Sequence, residues 1–388
     1  MINQYRYKVE LHYDYNNNEI IIDQTNIETI VIDYDYDNKN MPIILIVAKL
    51  DRNIIDDMIE NCRSKKIILS ISKFINNVDT SLDEKYINNR FNFYVSSELN
   101  KTKDLDYSDS EGRSDIYRKV TIGLLDADLI NNNKKIINEV VNDAFLVNIL
   151  AYHLNHMKLL IEPPNQTKIN NLTVPIITSI SKFIKYLDNI YPIYDTQYRL
   201  FYDFNKTYLL SSEGNNVPSK DEILNSVLFK INNTLQEESA IQGMEIDMNN
   251  GYYSIDVGIN DIECYENRSA DASYNKIISV DSEGDMLESV LSDESDERIK
   301  IEKITTGSLN KSSSIISNIE SNTFIATINK IDLDSSIFTI NKSYILRFDN
   351  ELKEKSGKYL LSRKREVYKS DNTNFIASTL LTFRKLKS

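Results

Sequence analysis

The chain has 388 residues, 41% of them hydrophobic and 27% charged, which is typical of a globular protein with two or three domains. Its net charge of −13 repels phosphate backbones and anionic lipid, so we expect neither a nucleic-acid partner nor a membrane partner. Cys62 and Cys264 are too few for a disulfide framework and are expected to be reduced thiols, although a single bridge between them stays open.

The N-terminal third is predicted to be a β domain. The chain begins with a polar, charged stretch, and no segment of it approaches the about 20 apolar residues of a spanning helix, so we expect neither a signal peptide nor a membrane span. Alternating and β-branched runs predict strands, and Asn53–Asn61 has helical spacing. The predicted strands are Gln4–Tyr13, Glu19–Asp23, Thr29–Tyr34, Ile43–Ala48, Lys65–Phe74, Phe91–Val95 and Tyr117–Leu125.

The middle third is predicted to be mainly helical. Apolar residues recur at helical spacing over Lys134–Leu160, which Pro163 and Pro164 end. Two more helices are predicted at Thr178–Ile190 and Ser219–Leu235, the latter with a capping box formed by Ser219 and Glu222. Between them, Ile193–Phe204 and Lys206–Ser211 read as a hairpin across Asn205.

The last third returns to β structure. Strands are predicted in Gly251–Cys264, Phe324–Ile331 and Ile337–Phe348, and the acidic segment Asp281–Glu297 is expected to be mobile or to face solvent. The chain ends in three predicted strands, Ser343–Phe348, Gly357–Tyr368 and Asn374–Phe383. The sequence therefore predicts an α+β protein: a β domain over residues 1–126, a helical middle domain with a hairpin over 127–240, and a second β domain over 241–388 with an acidic insertion at about 270–320.

No motif predicts a catalytic, cofactor or metal site. His153 and His156 lie three positions apart on a predicted helix, but no third ligand is signalled. The acidic loop Asp104–Asp115 resembles a calcium loop only in composition, because Asp109 stands where glycine is needed and Asp115 where a bidentate glutamate is expected. Basic neighbours of Cys62 do not by themselves make a reactive thiol, and neither a phosphate loop nor a nucleophile elbow is present.

The strongest basic cluster of this acidic chain is Arg363-Lys364-Arg365. Because neighbouring strand residues face opposite sides, Arg363 and Arg365 are predicted to share a face that Lys364 does not. We interpret the cluster as a candidate partner interface that meets an acidic surface. The alternative is an edge strand that its charges protect from aggregation. If the interface is real, reversing Arg363 and Arg365 to glutamate should weaken assembly and leave the fold intact.

The order of elements resembles the central baseplate hub of contractile-tailed bacteriophages. Three features carry the resemblance: the β-rich N-terminus ending near Leu125, the block Pro175–Leu187 running into Tyr198–Phe204, and the ending from Ile340 to the last strand. The strand Gly357–Tyr368 followed by Asp371–Phe375 is also similar to hubs from large phages of low-GC Gram-positive hosts. The acidic segment Asp281–Glu297 departs from the best-known hubs and leaves the insertion boundaries open.

This resemblance implies a structural virion protein without enzymatic activity, cofactor or metal. It implies two β-barrel-like tube-attachment domains with a helical insertion between them, and a homotrimer whose six barrels match a sixfold tube. The implied partners are the tail tube protein, the central spike or tail lysin, and baseplate wedge proteins. The implied location is the virion tail baseplate, after assembly in the host cytoplasm.

Three other functions remain open at this point. One is another component of the tail tip, a distal-tail ring protein or a baseplate wedge; a single β domain and sixfold assembly would favour the ring protein. A tail-associated cell-wall hydrolase would need a cleft with two carboxylates at a fixed separation. A glycan-binding module would show an exposed aromatic platform.

Overall fold

The structure, a computed structural model, describes residues 5–75, 84–96, 117–155, 158–204, 206–212, 226–232, 244–247, 252–267, 276–280, 286–290, 299–303, 323–331, 333–349, 351–371 and 374–386. The chain divides into two compact units. The first unit comprises Met1–Ile130, Ile328–Thr339 and Arg363–Leu381. The second comprises Asn131–Thr327, Ile340–Ser362 and Thr382–Ser388.

Strands dominate the described residues. The helices are α1 Arg52–Asn61, α2 Ala127–Asn133, α3 Leu146–His153 and α4 Ile180–Ile190. Of these described helices, none has the length and apolar content that crossing a membrane requires. In chain order the strands are β1 Tyr5–Tyr15, β2 Asn18–Ile22, β3 Ile27–Asp35, β4 Ile43–Asp51, β5 Ile67–Ile75, β6 Glu84–Ser96, β7 Tyr117–Asp126, β8 Val140–Phe145, β9 Lys158–Ile161, β10 Lys168–Thr173, β11 Tyr198–Asp203, β12 Lys206–Ser211, β13 Ser226–Asn232, β14 Met244–Asp247, β15 Tyr252–Gly258, β16 Ile262–Asn267, β17 Lys276–Val280, β18 Met286–Val290, β19 Ile299–Lys303, β20 Thr323–Ile331, β21 Ser343–Phe348, β22 Gly357–Ser370 and β23 Phe375–Lys385.

Eight strands with residues in the first unit pair in a closed circuit, as far as the described residues show. The order is β22-β3-β4-β7-β6-β5-β1-β23, and β23 pairs again with β22. Every printed register in this circuit is antiparallel, from β3 against β4 to β5 against β1. Closure gives each strand of the circuit a paired neighbour on both sides, although β1 and β23 meet through a single residue pair, Tyr7 with Phe375.

The inner face of the circuit forms the core of the first unit. Alternate residues of each strand are almost fully buried, among them Ile32, Ile46, Leu69 and Ile122. Helix α1 adds Ile55 and Met58, and Asp51 caps it by accepting a hydrogen bond from the Asn53 amide at 2.8 Å. These side chains are β-branched or large and apolar, and they stabilise the sheet through burial.

The second unit combines several smaller sheets. Strands β13 and β15 pair in parallel, and β13 also pairs in parallel with β21. Strands β8 and β10 form a two-stranded ribbon, β11-β12-β9 form a three-stranded sheet, and β18-β17-β19 form another. Helix α4 starts at the N-cap Ser179, whose hydroxyl accepts a hydrogen bond from the Lys182 amide at 3.3 Å.

Many of the predicted elements are confirmed. The strands of the N-terminal third are present, as are helix α1 and the turn after β1, where Asn16 and Asn17 adopt positive φ values of 53° and 61°. Helix α4, the β11–β12 hairpin and the three terminal strands β21, β22 and β23 are also found.

The long helix predicted over Lys134–Leu160 is wrong. The segment contains β8, the short helix α3 and β9 instead. Asp143 has a φ of 52°, which an α-helix does not accommodate, and the supposed helix face is broken because Phe145 and Tyr152 are exposed. The β-branched residues Ile137 and Val141 pair with neighbouring extended chain, so tertiary pairing overrides the 3.6-residue spacing.

The helix predicted over Ser219–Leu235 is also wrong where the structure describes it. Strand β13 occupies residues 226–232, and Val227, Phe229 and Ile231 are fully buried. Their spacing of two residues is the period of a strand. The capping-box residues Ser219 and Glu222 lie outside the described residues.

Two acidic segments are described partly or not at all. The loop Asp104–Asp115 lies outside the described residues. Of the segment Asp281–Glu297, residues 286–290 form strand β18, which pairs antiparallel with β17, and the remaining residues lie outside the described ranges. The three-domain division of the sequence stays a prediction.

Candidate interaction surface

Strand β22 divides its charged residues between two faces. Arg363, Arg365 and Lys369 point to the outer face of the closed circuit, whereas Lys364, Glu366 and Tyr368 are buried on the inner face. This alternation follows from the pleat of a strand. The prediction that Arg363 and Arg365 share a face that Lys364 does not is therefore confirmed.

Arg363 is held by the neighbouring strand β3. Its Nε and Nη2 atoms donate to the two carboxylate oxygens of Asp33 at 2.7 and 2.9 Å, a bidentate arrangement. Burial alone raises the pKa of Asp33, but the hydrogen bonds and charge of Arg363, together with Lys39, outweigh it and hold that pKa below its ordinary value. Arg363 is thus committed to a partner within its own chain.

Lys364 belongs to a buried polar cluster. Its Nζ atom lies 3.0 Å from a carboxylate oxygen of Glu366, donates to the Ser335 carbonyl at 3.3 Å and lies 4.2 Å from the centre of the Tyr34 ring. Tyr368 donates its hydroxyl to Glu366 at 2.9 Å. The two charges are paired and hydrogen-bonded, which is how a buried ion pair is tolerated. The side chain of Lys364 therefore does not face a partner.

Arg365 is the exposed member of the predicted cluster. Lys369, four residues further along the same face of β22, is exposed too. Neither cation forms an ion pair within the part of the chain that the structure describes. The alternative of an edge strand is wrong, because β22 pairs with β3 along Arg363–Lys369 and also pairs with β23.

A row of outward-facing residues crosses five strands beside these cations. Tyr94, Gly123, Leu45, Val31 and Val367 are directly opposite one another in successive strand pairs. We refer to these five residues as the outer stripe. Tyr94 is 44% exposed and Leu45 is 36% exposed. The Tyr94 ring occupies the space where a side chain at position 123 would project.

Sequence reasoning missed the outer stripe. Each strand showed its alternating pattern, so the outward position of single residues such as Leu45 could be read from the sequence. Their meeting in one row depends on the registers of four strand pairs, which no local pattern encodes. The only local signal is Gly123, since glycine inside a strand often marks a close approach by another group.

Of the two histidines that the sequence analysis considered as metal ligands, the structure describes His153. His153 places Nε2 2.7 Å from Oε1 of Glu139 and packs against Phe183 with ring centres 4.5 Å apart. His156 lies outside the described residues. Among the residues that can be described, no group of three or more histidine, cysteine or carboxylate side chains is arranged to bind a metal ion.

The two cysteines are free thiols in half-buried positions. Burial raises the pKa of Cys264 to about 11, so this thiol is protonated at neutral pH. A buried carboxylate that the sequence did not single out, Glu162, accepts hydrogen bonds from the Ser211 amide at 2.8 Å and the Ser211 hydroxyl at 3.2 Å. These bonds fasten β12 to the segment after β9, a structural role.

Comparison with known proteins places this fold. A family model described as bacteriophage PBS1 gene 109 protein matches residues 1–386. A search of curated protein sequences finds no match. The structure is similar to a tail protein from Neisseria meningitidis MC58, with 9% identity and a TM-score of 0.54, over 98% of this chain and 97% of that one.

Two further solved structures show the same likeness. The 43 kDa tail protein of prophage MuSo2 from Shewanella oneidensis is 9% identical, with a TM-score of 0.51 over 97% of this chain and 96% of that one. A chain of the Francisella PdpA–VgrG complex is 11% identical, with a TM-score of 0.51 over 100% of this chain and 55% of that one. The resemblance to tail proteins inferred from the sequence is thus confirmed for the fold. Because the family model covers nearly the whole chain, the protein belongs to the family of the bacteriophage PBS1 gene 109 protein.

Proposed function

We propose that the protein is a non-catalytic structural protein of a phage tail baseplate, the trimeric hub that joins the sixfold tail tube to the threefold central spike. The observation that carries the proposal is a tail-protein fold along the whole chain, which covers 98% of this protein and 97% of the Neisseria tail protein. Membership in a bacteriophage family supports the same assignment.

The proposed architecture is two β-barrel-like tube-attachment domains with an inserted middle segment. The closed circuit of eight strands in the first unit supports one of these barrels. The proposed second barrel uses the strands β15, β13 and β21 of the second unit, which lie side by side. Three copies of a two-barrel chain would present six similar domains, which explains how a threefold protein can match a sixfold tube.

The proposed partners are the tail tube protein, the central spike or a tail lysin, and baseplate wedge proteins. The proposed location is the tail baseplate of the virion, after assembly in the host cytoplasm. Of the predicted interface residues Arg363, Lys364 and Arg365, we propose Arg365 as the contact with an acidic surface, because it is exposed and has no ion-pair partner among the described residues.

Two measurements test this proposal. Native mass spectrometry of the purified full chain should give three times the monomer mass of 45.0 kDa. Gold-labelled antibody against the protein should mark the tip of the tail in electron micrographs of virions. A hexamer would favour the distal-tail ring, and label along the tube or on the head would contradict the hub.

The hydrolase alternative has its own test. Purified protein should leave cell walls of the host intact under conditions where a tail lysin clears them. Measurable release of soluble wall fragments would contradict the non-catalytic assignment.

A further inference from the structure

The outer stripe has the composition of the centre of a protein interface. Tyr94 and Leu45 are its exposed members, and Val31 and Val367 extend the apolar row to the next two strands. Neighbouring strands are about 4.8 Å apart, so a row across five strands is about 19 Å wide. Tyrosine is enriched at interface centres, which are more apolar than the rest of a protein surface and depleted of charged residues.

The tyrosine ring of the outer stripe lies against the sheet in the single chain. Its ring lies over Gly123, in space that any other residue at this position would fill. A side chain already held in its bound orientation loses less conformational entropy on binding. Buried tyrosines are frequent among the residues that dominate binding energy. Tyr94 therefore has both the chemistry and the position of an anchor residue.

The charges around the outer stripe determine which kind of partner surface can bind it. Val367 is flanked on the same face by the exposed cations Arg365 and Lys369. On the neighbouring strand β3, the carboxylates of this face already have partners: Asp33 binds Arg363, Asp35 accepts hydrogen bonds from Asn38, and Glu28 binds Lys49 and Lys119. A partner surface must therefore supply its own carboxylates opposite Arg365 and Lys369.

We propose that the outer stripe docks against a second copy of this chain. The chain carries 58 acidic and 45 basic residues, a net charge of −13, so the acidic surface that the two cations require is abundant on another copy. That surface lies elsewhere on the copy, because the stripe has no exposed carboxylate of its own to offer. The contact is therefore heterologous, and a heterologous contact that closes makes a ring.

This inference rests on the proposed trimer and adds the surface that builds it. The test compares the purified full chain with Leu45→Asp and with the double variant Arg365→Glu/Lys369→Glu, using sedimentation across a concentration series. Each change should raise the dissociation constant of the trimer at least about 30-fold, the effect of losing a central interface contact. The double variant changes only exposed side chains, so it tests the interface without disturbing the core.

Ile21→Asp is the matched control. Ile21 is a 54% exposed isoleucine of β2 in the same unit, outside the outer stripe, so its variant should remain a trimer. Trimeric stripe variants would overturn this inference and leave the proposed hub standing. Dissociation of the Ile21→Asp control to the same extent would also overturn it, since the stripe would then have no special role. A monomeric wild-type protein would remove the proposed trimer itself.

Discussion

The two faces of strand β22 place the same kinds of side chain in opposite circumstances. On the inner face, the buried side chains of Lys364 and Glu366 lie 3.0 Å apart and form an ion pair. On the outer face, Arg365 and Lys369 are exposed and have no ion-pair partner among the described residues. A charge therefore contributes to folding where the fold places an oppositely charged group within reach, as it does for Lys364 and Arg363, and remains available for assembly where it does not.

Removing one charge of the inner face should have the largest effect on the free energy of unfolding. Lys364→Met removes the cation that lies 3.0 Å from the buried carboxylate of Glu366, and we expect the free energy of unfolding to fall by about 3–5 kcal/mol in urea denaturation. Adding Glu366→Gln, which keeps an acceptor for the Tyr368 hydroxyl, should restore most of the loss. If Lys364→Met alone lowers the free energy of unfolding by less than about 1 kcal/mol, the ion pair of Lys364 and Glu366 does not stabilise the inner face.

A methyl group under Tyr94 should have the next largest effect. Gly123→Ala places a carbon where the tyrosine ring lies, so the ring must move, at a cost of about 1–2 kcal/mol in the free energy of unfolding. The same change in a Tyr94→Ala background should be neutral or stabilising, because alanine favours extended backbone more than glycine does. Equal costs in both backgrounds would show that the ring does not rest on Gly123.

Arg363→Ala breaks the bidentate pair with Asp33 on the outer face. It should lower the free energy of unfolding by about 1 kcal/mol at pH 7, because the pair is only partly buried. The folded-state pKa of Asp33 lies below its ordinary value, so this contribution is present above about pH 4 and is lost as pH falls through the folded-state pKa. Urea denaturation at pH 7 and pH 3 should therefore show the difference between wild type and variant shrinking at the lower pH. Lys369→Ala is the control, since it removes a cation without an ion-pair partner among the described residues and should show no such change.

The smallest effect on folding is expected from the exposed cation. Arg365→Glu should change the free energy of unfolding by less than about 0.5 kcal/mol, because the side chain has no ion-pair partner among the described residues. Differential scanning calorimetry checks this directly. A large loss of stability would show that Arg365 contributes to folding as the buried charges do, which would contradict the contrast between the two faces.

The sequence predicted the strands of this comparison well and the middle of the chain poorly. Strands β21, β22 and β23 have strong alternation and clear turn residues, so their positions followed from the pattern. The segment from Lys134 to Leu160 satisfied a helical spacing by coincidence, while its β-branched residues pair with extended chain. For the candidate surface, the alternation of Arg363, Lys364 and Arg365 was predictable from the sequence. Reversing both Arg363 and Arg365 would change the fold as well as the surface, because Arg363 is bound to Asp33.

By itself, the sequence determined which residues of each terminal strand lie on one face and that the chain carries a net charge of −13. Only the tertiary structure decided which face is inside, that Arg363 meets Asp33 across 330 positions of sequence, and that Tyr94 lies over Gly123. The physical reason is that a strand's period of two is a local property, whereas register is settled by burial and pairing summed over the whole closed circuit.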